Sequence, residues 1–554
     1  MARWLLSGHN PRETFGTPYP ITVSYTIEFA ARRQLEYIVG TLAGGTDEFD
    51  MAIRPMVSVQ GYLYMNMHYF TRNVALVLPF DVESFGAPKG LVVAERKPRL
   101  QIRLLLPFRL WGIYRQVVET QREVIPHYRE SLEEVYWRLR ATNPDQITER
   151  DIALVDRLFA PPMLDNAAAY MQAYAMTTLL GIAISESAGQ KSPDLLNLLV
   201  GRGTSTAQLG ERMWELRQVA EQCGPETVEL LRRGEMDLAK YHAIPEAAPL
   251  LEAIERFMRT YGHRAFRYSS EFEATRLADQ PELVLLTIGG LLEEDEPPTV
   301  RAEAARQVGT QALQKMNPLQ RLLWRRLLKW GSALVERREE GRDTLELQNA
   351  SWGLAAKLLS RRYFPDHPSD YLWLYTFDEF LALAHSRGQR RVDPEEITRR
   401  RAKLERHRQS PALPELIWYD PETKEWWPVQ EAEAEKRGLI SEGRLQGIGA
   451  SAGSGPVEGL ALVTDNAQEA AERLLDISGP VVLVTHVTDP VWSSLFRRLT
   501  AVVTEMGGAV SHAAIVAREN GIPAVVGVPE ATRWIHNGQW VRVDGATGTV
   551  EVIE

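Results

Sequence analysis

The chain has 554 residues, 44% of them apolar and 25% charged, which suits two to four domains with sizeable cores. A net charge of −10 leaves no basic footprint for nucleic acid or an anionic membrane surface. One cysteine, Cys223, excludes an intramolecular disulfide and a Cys-rich metal site, and fits a reducing, cytoplasmic compartment.

Met1 to His9 carries too short an apolar run for a secretory signal. The stretch Val57 to Leu78 reads as β-rich, with Val57–Ser58–Val59 and Tyr62–Leu63–Tyr64 alternating around Gln60–Gly61. Amphipathic spacing then predicts helices over Leu110–Ala141, Thr148–Leu158, Ser205–Gly234, Ala248–Tyr261, Arg301–Gln314, Leu319–Glu340 and Val392–His407. The apolar stretch Ala167–Ile184 contains Gln172 and lacks a basic flank, so it reads as a buried helix rather than a membrane span. The charge run Arg399 to Arg406 reads as a solvated helix face.

From Pro411 to Gly447 the pattern loosens into prolines, Trp426–Trp427 and a mixed-charge helix, as expected of a hinge. After Ile448 the alphabet turns to glycine, valine and alanine. Val481–Thr485, Ala501–Thr504 and Ala524–Val526 read as short strands alternating with helices, a compact β/α domain. The expected protein is multidomain: a mainly α-helical N-terminal domain over 1–410, a hinge over 411–446 and a compact β/α domain over 447–554.

The most informative string is Thr504–Glu505–Met506–Gly507–Gly508–Ala509–Val510–Ser511–His512. A β-branched strand breaks at two glycines that allow unusual backbone angles. Ser511 then caps a helix running from His512 to about Asn520, which Gly521 and Pro523 end. The first N–H groups of such a helix favour an anion. A neutral imidazole there is a nucleophile, and a phosphoryl group on it would meet those donors. Gly507, Gly508 and Ser511 are the candidate phosphate-binding residues around His512. Thr504 is either a further phosphate contact or a strand-end threonine.

This string closely resembles the phosphohistidine, or swivelling, domain of phosphoenolpyruvate synthase, pyruvate phosphate dikinase and rifampicin phosphotransferase. The resemblance extends over 445–554 and includes Gly449–Ala450–Ser451–Ala452–Gly453, Thr488–Asp489–Pro490 and Val541–Arg542–Val543–Asp544–Gly545. It implies that His512 carries the phosphoryl group. Val510 stands where the dikinases place a regulatory threonine, which excludes that form of control here.

The N-terminal body resembles the substrate domain of rifampicin phosphotransferase. The resemblance rests on Pro18–Tyr19–Pro20, Tyr261–Gly262–His263–Arg264, Glu271–Phe272–Glu273, Arg338–Glu339–Glu340–Gly341–Arg342 and Tyr371–Leu372–Trp373. It implies that Arg338 and Arg342 face the incoming phosphohistidine. Their i, i+4 spacing puts both cations on one helix face, where they would clamp a phosphoryl group; an ordinary charged surface helix is the alternative. His263 is either a general base for a substrate hydroxyl or a buried structural histidine, and Glu271 is a candidate substrate contact.

The chain shows no glycine-rich phosphate loop ending in Lys-Ser or Lys-Thr, and no ATP-grasp-like segment ahead of Pro18. The resemblance therefore implies a split phosphotransferase like phenylphosphate synthase. In it a separate ATP-grasp subunit binds Mg2+ and ATP and loads His512. The phosphoryl group then passes to a small-molecule hydroxyl, phenolic in one version, with AMP and phosphate as co-products. The competing expectations are a phosphocarrier or regulatory protein without turnover, and a truncated rifamycin-type phosphotransferase.

Overall fold

The computed structural model describes residues 4–7, 18–27, 53–73, 111–112, 115, 122, 126, 128–158, 195, 197–199, 204–265, 272–292, 297–409, 413–414, 416–429, 439–441, 444–453, 455–488, 492, 495–505, 507, 511–528 and 530–553. The chain divides into two compact units. The first comprises Met1–Met176, Tyr268–Ala274 and Glu340–Ala434; the second comprises Thr177–Arg267, Thr275–Glu339 and Glu435–Glu554. A mainly helical N-terminal part followed by a C-terminal β/α region is what the composition change at Ile448 indicated.

The first unit holds an antiparallel sheet of order β2-β3-β1-β4-β5. Its strands are β1 (Trp4–Ser7), β2 (Met56–Val59), β3 (Tyr62–Asn66), β4 (Leu416–Tyr419) and β5 (Trp426–Pro428). Gln60 and Gly61, at φ 46° and 85°, make the two-residue turn between β2 and β3, whose twist suits a hairpin. The expected strand content beyond Asn66 gives way to a helix, Met67–Arg72, because the Asn66 side chain accepts from His68 N and caps it. The stretch expected as a hinge is partly strand: β4 pairs with β1, while β6 (Leu439–Ser441) and β7 (Arg444–Gln446) join the second sheet. The stretch Ala167–Ile184, expected as a buried helix, lies outside the described residues. Among those described, no helix is long and apolar enough to cross a membrane.

Three motifs singled out in the sequence meet in the core of this unit. Tyr19 stacks obliquely on Trp373 at 5.2 Å, and Tyr25 meets Trp352 edge-on at 4.9 Å and Phe377 at 5.0 Å. Phe272 packs on Trp352 at 5.4 Å. A Cβ at Gly353 would stand 2.2 Å from the Phe272 carbonyl, so the chain approaches the helix there only over a glycine. The Phe377 N–H donates to Ser24 Oγ at 2.7 Å. Aromatic burial of this kind is worth more than area alone, because edge contacts add to it. These tryptophans are core.

Most helices fall where the periodicity put them, including Glu149–Arg157, Ala248–Tyr261 and Pro394–Gln409. Two differ. The expected Ser205–Gly234 helix is two, Ser205–Gln222 and Gly224–Arg232, because Gly224 takes φ 85° and turns the chain. The expected Leu319–Glu340 helix runs on to Tyr363, 46 residues in all. Its C-terminal half lacks an apolar stripe because it is buried on several sides, so the amphipathic pattern fades while the helix does not.

In the second unit, helices of 205–339 accompany a nine-stranded sheet of order β6-β7-β14-β13-β9-β10-β11-β12-β8. Here β8 is Ile448–Ser451, β9 Val457–Val463, β10 Val481–Thr485, β11 Ala501–Thr504, β12 Ala524–Val526, β13 Trp540–Asp544 and β14 Thr549–Val552. Strands β9 to β12 run parallel. Their Val-rich sequences fit strands buried on both faces. Leu462, Leu483 and Val502 pack under the helices on one face, while Ala461, Val482 and Val503 meet Val541, Val543 and Val550 on the other. The glycine motifs at either end of this region close on each other. A Cβ at Gly545 would lie 1.7 Å from the Ser451 carbonyl, so β8 and the β13–β14 turn meet backbone to backbone.

Candidate functional site

The carboxyl ends of parallel strands are where open α/β sheets gather their functional loops. Strand β11 ends at Thr504, and its register partner on β10 is Thr485. Two residues beyond Glu505 the chain turns at Gly507, whose φ of 117° is open to glycine alone at low cost. A Cβ there would also stand 2.8 Å from Ser511 Oγ. Ser511 caps the helix His512–Glu519, its hydroxyl accepting from Ala514 N at 3.4 Å. Thus the strand, the turn, the cap and the helix start stand where the sequence put them, with His512 the first residue of the helix. Gly508 and the side chain of His512 lie outside the described residues. Thr504 is fully buried in the sheet.

The helix His512–Glu519 is held from two sides. Ala513, Ala514, Val516 and Ala517 are buried on the sheet. Arg518, 2% exposed, donates from Nε to the Ala450 carbonyl at 2.8 Å, which ties the helix to β8. Ile515 points the other way, into a cluster with Leu199, Ala312, Trp324, Leu328 and Val335. Trp324, Leu328 and Val335 belong to the long helix Pro318–Tyr363.

Helical spacing carries that stripe onward. Val335 to Arg338 is three residues and Arg338 to Arg342 four, so both arginines lie on the same face of this helix as Val335. Arg338 is 2% exposed, its Nε 3.7 Å from Glu339 Oε1. That burial removes the ordinary-surface-helix reading. Arg342 Nε lies 3.4 Å from Glu346 Oε1, and Arg129 pairs with buried Asp343. Arg338 belongs to the second unit and Arg342 to the first.

The sequence reading missed how polar this buried helix is. Asp343, Thr344, Glu346, Gln348, Asn349 and Ser351 are all buried. Charged and amide groups are rarely enclosed without pairing or function. The signal available was the absence of an apolar stripe over a stretch still rich in helix formers.

His263 is 2% exposed, in a segment that hydrogen-bonds to 276–278 through Leu277 N to the Arg264 carbonyl and Ala278 N to the Gly262 carbonyl. Glu271 lies outside the described residues. Its neighbour Glu273 does not. Glu273 lies 3.5 Å from Arg408, whose guanidinium also sits 4.5 Å over the Tyr19 ring. Burial raises the Glu273 carboxyl above the usual range, and raises the Tyr19 phenol as well. Asp370 goes the other way, held below the usual range chiefly by a bidentate bond from Arg401 at 2.9 Å. Among the described residues no group of three or more His, Cys, Asp or Glu is arranged to hold a metal ion.

With this geometry in place, similarity to known proteins is specific. Residues 477–548 match the family model described as PEP-utilising enzyme, mobile domain, and residues 165–339 match the rifampicin phosphotransferase fourth domain. A rifampicin phosphotransferase of Streptomyces sviceus is 27% identical over 419 residues, 72% of this chain and 45% of that protein. One from a Streptomyces species is 41% identical over 178 residues, 32% of this chain and 18% of that protein. The phosphoenolpyruvate synthase of Aeropyrum pernix is 38% identical over 139 residues, 25% of this chain and 16% of that protein. The chain thus spans less than half the length of these relatives. It resembles the phosphoenolpyruvate-utilising enzymes through its mobile domain and the rifampicin phosphotransferases through that domain and the helices ahead of it.

Proposed function

We propose that this chain is the histidine-bearing component of an ATP-dependent phosphotransferase. His512 takes a phosphoryl group from ATP bound with Mg2+ on a separate ATP-grasp subunit. It then passes that group to a hydroxyl held by the N-terminal region, and the domain over 447–554 swivels between the two tasks. The balance is that ATP, water and R–OH become AMP, inorganic phosphate and R–O–PO3. A P–O bond breaks as the imidazole N–P bond forms. In the second step the N–P bond breaks as the hydroxyl oxygen takes the phosphorus and gives up its proton.

One observation carries this reading: Ile515, on the helix that begins at His512, shares a buried cluster with Trp324, Leu328 and Val335 of the helix that carries Arg338. We read Arg338, buried one turn beyond Val335, as the cation that meets a phosphoryl group carried at that helix start, where fixed donors stabilise developing charge without reorganising. His263 remains the proposed base for the acceptor hydroxyl. A rifamycin as acceptor is a second reading, favoured by the match over 165–339. The test is reconstitution with candidate ATP-grasp partners and a panel of phenols and rifamycins. AMP released in step with a phosphorylated acceptor supports the proposal. ADP as the nucleotide product, or turnover by His512→Ala, sinks it.

A further inference from the structure

The net charge of −10 conceals one stretch of the opposite sign. Between Glu303 and Glu336 there is no acidic residue, while Arg306, Lys315, Arg321, Arg325, Arg326 and Lys329 are basic. The stretch covers most of the helix Pro298–Gln314, the turn after it and the start of the helix Pro318–Tyr363. Arg321 is used to tie that turn, its Nη2 donating to the carbonyls of Gln314 at 2.6 Å and Met316 at 2.9 Å. Trp324 and Leu328 are buried, in the cluster that contains Ile515. The other side of the same helix is open. Leu319 is 79% exposed, Leu322 68% and Leu323 59%. At about 100° of rotation per residue, these leucines and Arg326 fall within an arc of about 100°. Arg325 and Lys329 flank Leu322, and all three cations are exposed.

Single exposed leucines are ordinary, but a patch of them ringed by cations is not. Elsewhere in this unit exposed helical arginines pair with glutamates one turn away: Arg212 with Glu215, Arg233 with Glu229 and Arg259 with Glu255. Arg325, Arg326 and Lys329 have no acidic partner among the described residues. An apolar centre within a charged rim is the anatomy of a protein interface, and the sign of the rim selects an acidic partner. Two copies of this chain meeting about a two-fold axis through this face would set cation against cation. An anionic membrane would have to hold a chain of net charge −10 by three leucines. The helix Pro298–Gln314, which leads into the face, lies against the helix His512–Glu519, and all of these elements belong to the second unit. A protein that loads His512 has to approach that unit. We propose that Leu319, Leu322 and Leu323, rimmed by Arg325, Arg326 and Lys329, dock the separate ATP-binding subunit through an acidic surface that receives the leucines. This rests on the reading that such a subunit loads His512.

Two loading reactions on the full chain separate docking from chemistry. Potassium phosphoramidate needs no partner: the N–P bond to the imidazole forms as the bond to the departing ammonia breaks. The ATP-grasp protein that labels the wild-type chain in reconstitution, with Mg2+ and ATP, is the second donor. The charge-reversed variant Arg325→Glu, Arg326→Glu, Lys329→Glu should be loaded at least about tenfold more slowly when that protein is limiting, because rim charges act on the association rate. Saturating amounts of the partner should restore its rate, and phosphoramidate should load it as it loads the wild type. Leu322→Ser with Leu323→Ser should raise the partner concentration required by a similar factor. Added salt should slow partner loading of the wild type and leave the charge-reversed variant nearly unchanged. Charge reversal that leaves partner loading at the wild-type rate and salt dependence overturns the inference while the split-subunit reading stands. Charge reversal that spares partner loading but abolishes binding to phosphatidylserine vesicles overturns it in favour of a membrane. A wild-type chain that takes phosphorus from phosphoramidate but from no ATP-grasp protein removes both.

Discussion

The buried cluster that Ile515 shares with the long helix makes a measurable claim about coupling. Ile515 and Val335 are each 3% exposed and share one cluster. Truncating Ile515 to alanine deletes three carbons, about 2.4 kcal/mol of transfer free energy at about 0.8 kcal/mol each. With the cavity left behind, the full cost is about 2–5 kcal/mol. Every 1.4 kcal/mol is about tenfold in an opening equilibrium, so amide exchange governed by that opening should speed up by at least about twentyfold. Hydrogen exchange on Ile515→Ala should show that loss in residues 324–335, far away in sequence, as well as in 513–517. Val335→Ala should produce the reciprocal loss in the helix His512–Glu519. The double variant should fall short of additivity by about 0.5–3 kcal/mol, as expected of residues coupled through a shared cluster. Protection of 324–335 that survives Ile515→Ala, in a chain whose β/α domain is still folded, would refute the docking argument.

Other outcomes follow from single features. Gly507→Ala should lower the stability of the β/α domain by at least about 1–2 kcal/mol in urea unfolding, the cost of a left-handed backbone for a residue with a Cβ, and should depress phosphoryl uptake. Arg338→Ala should cut transfer to the acceptor by about a hundredfold or more while leaving loading of His512 intact, since it strips a cation from the developing charge. Equal losses in both half-reactions would remove Arg338 from the transfer step. Asp370 has its folded pKa depressed below the usual aspartate value, chiefly by the Arg401 bond. Its contribution to stability is therefore present above about pH 4 and fades as pH falls through the lower folded value. Asp370→Asn should destabilise the first unit at pH 7 and lose that part of the acid dependence, measured by urea unfolding at pH 7 and pH 3.

Local chemistry was legible in the sequence and long-range pairing was not. The glycine turn, the Ser511 cap and the helix at His512 each depend on residues within one turn of one another, so the order of residue types was sufficient. The long helix was under-read at its C-terminal half because Asp343, Glu346 and Asn349 are polar yet buried, and periodicity detects only an apolar stripe facing a polar one. The hinge expected over 411–446 contains β4, whose partner β1 begins at Trp4, and no local pattern announces pairing across four hundred residues. His486 carried no motif of its own. Its place beside Glu505 comes from the parallel register of two strands, which the sequence of neither strand encodes alone. Glu273, one residue from the described boundary, shows the same limit: its contact with Arg408 joins segments far apart in the chain.

The central claim is that His512 carries the phosphoryl group, and labelling tests it most directly. The purified chain, a candidate ATP-grasp partner, Mg2+ and β-labelled ATP should give label on this chain that is lost in acid and stable in base, as a phosphoramidate is. His512→Ala should take none, while His263→Ala should label normally and fail only at transfer. Label that persists on His512→Ala would contradict the account.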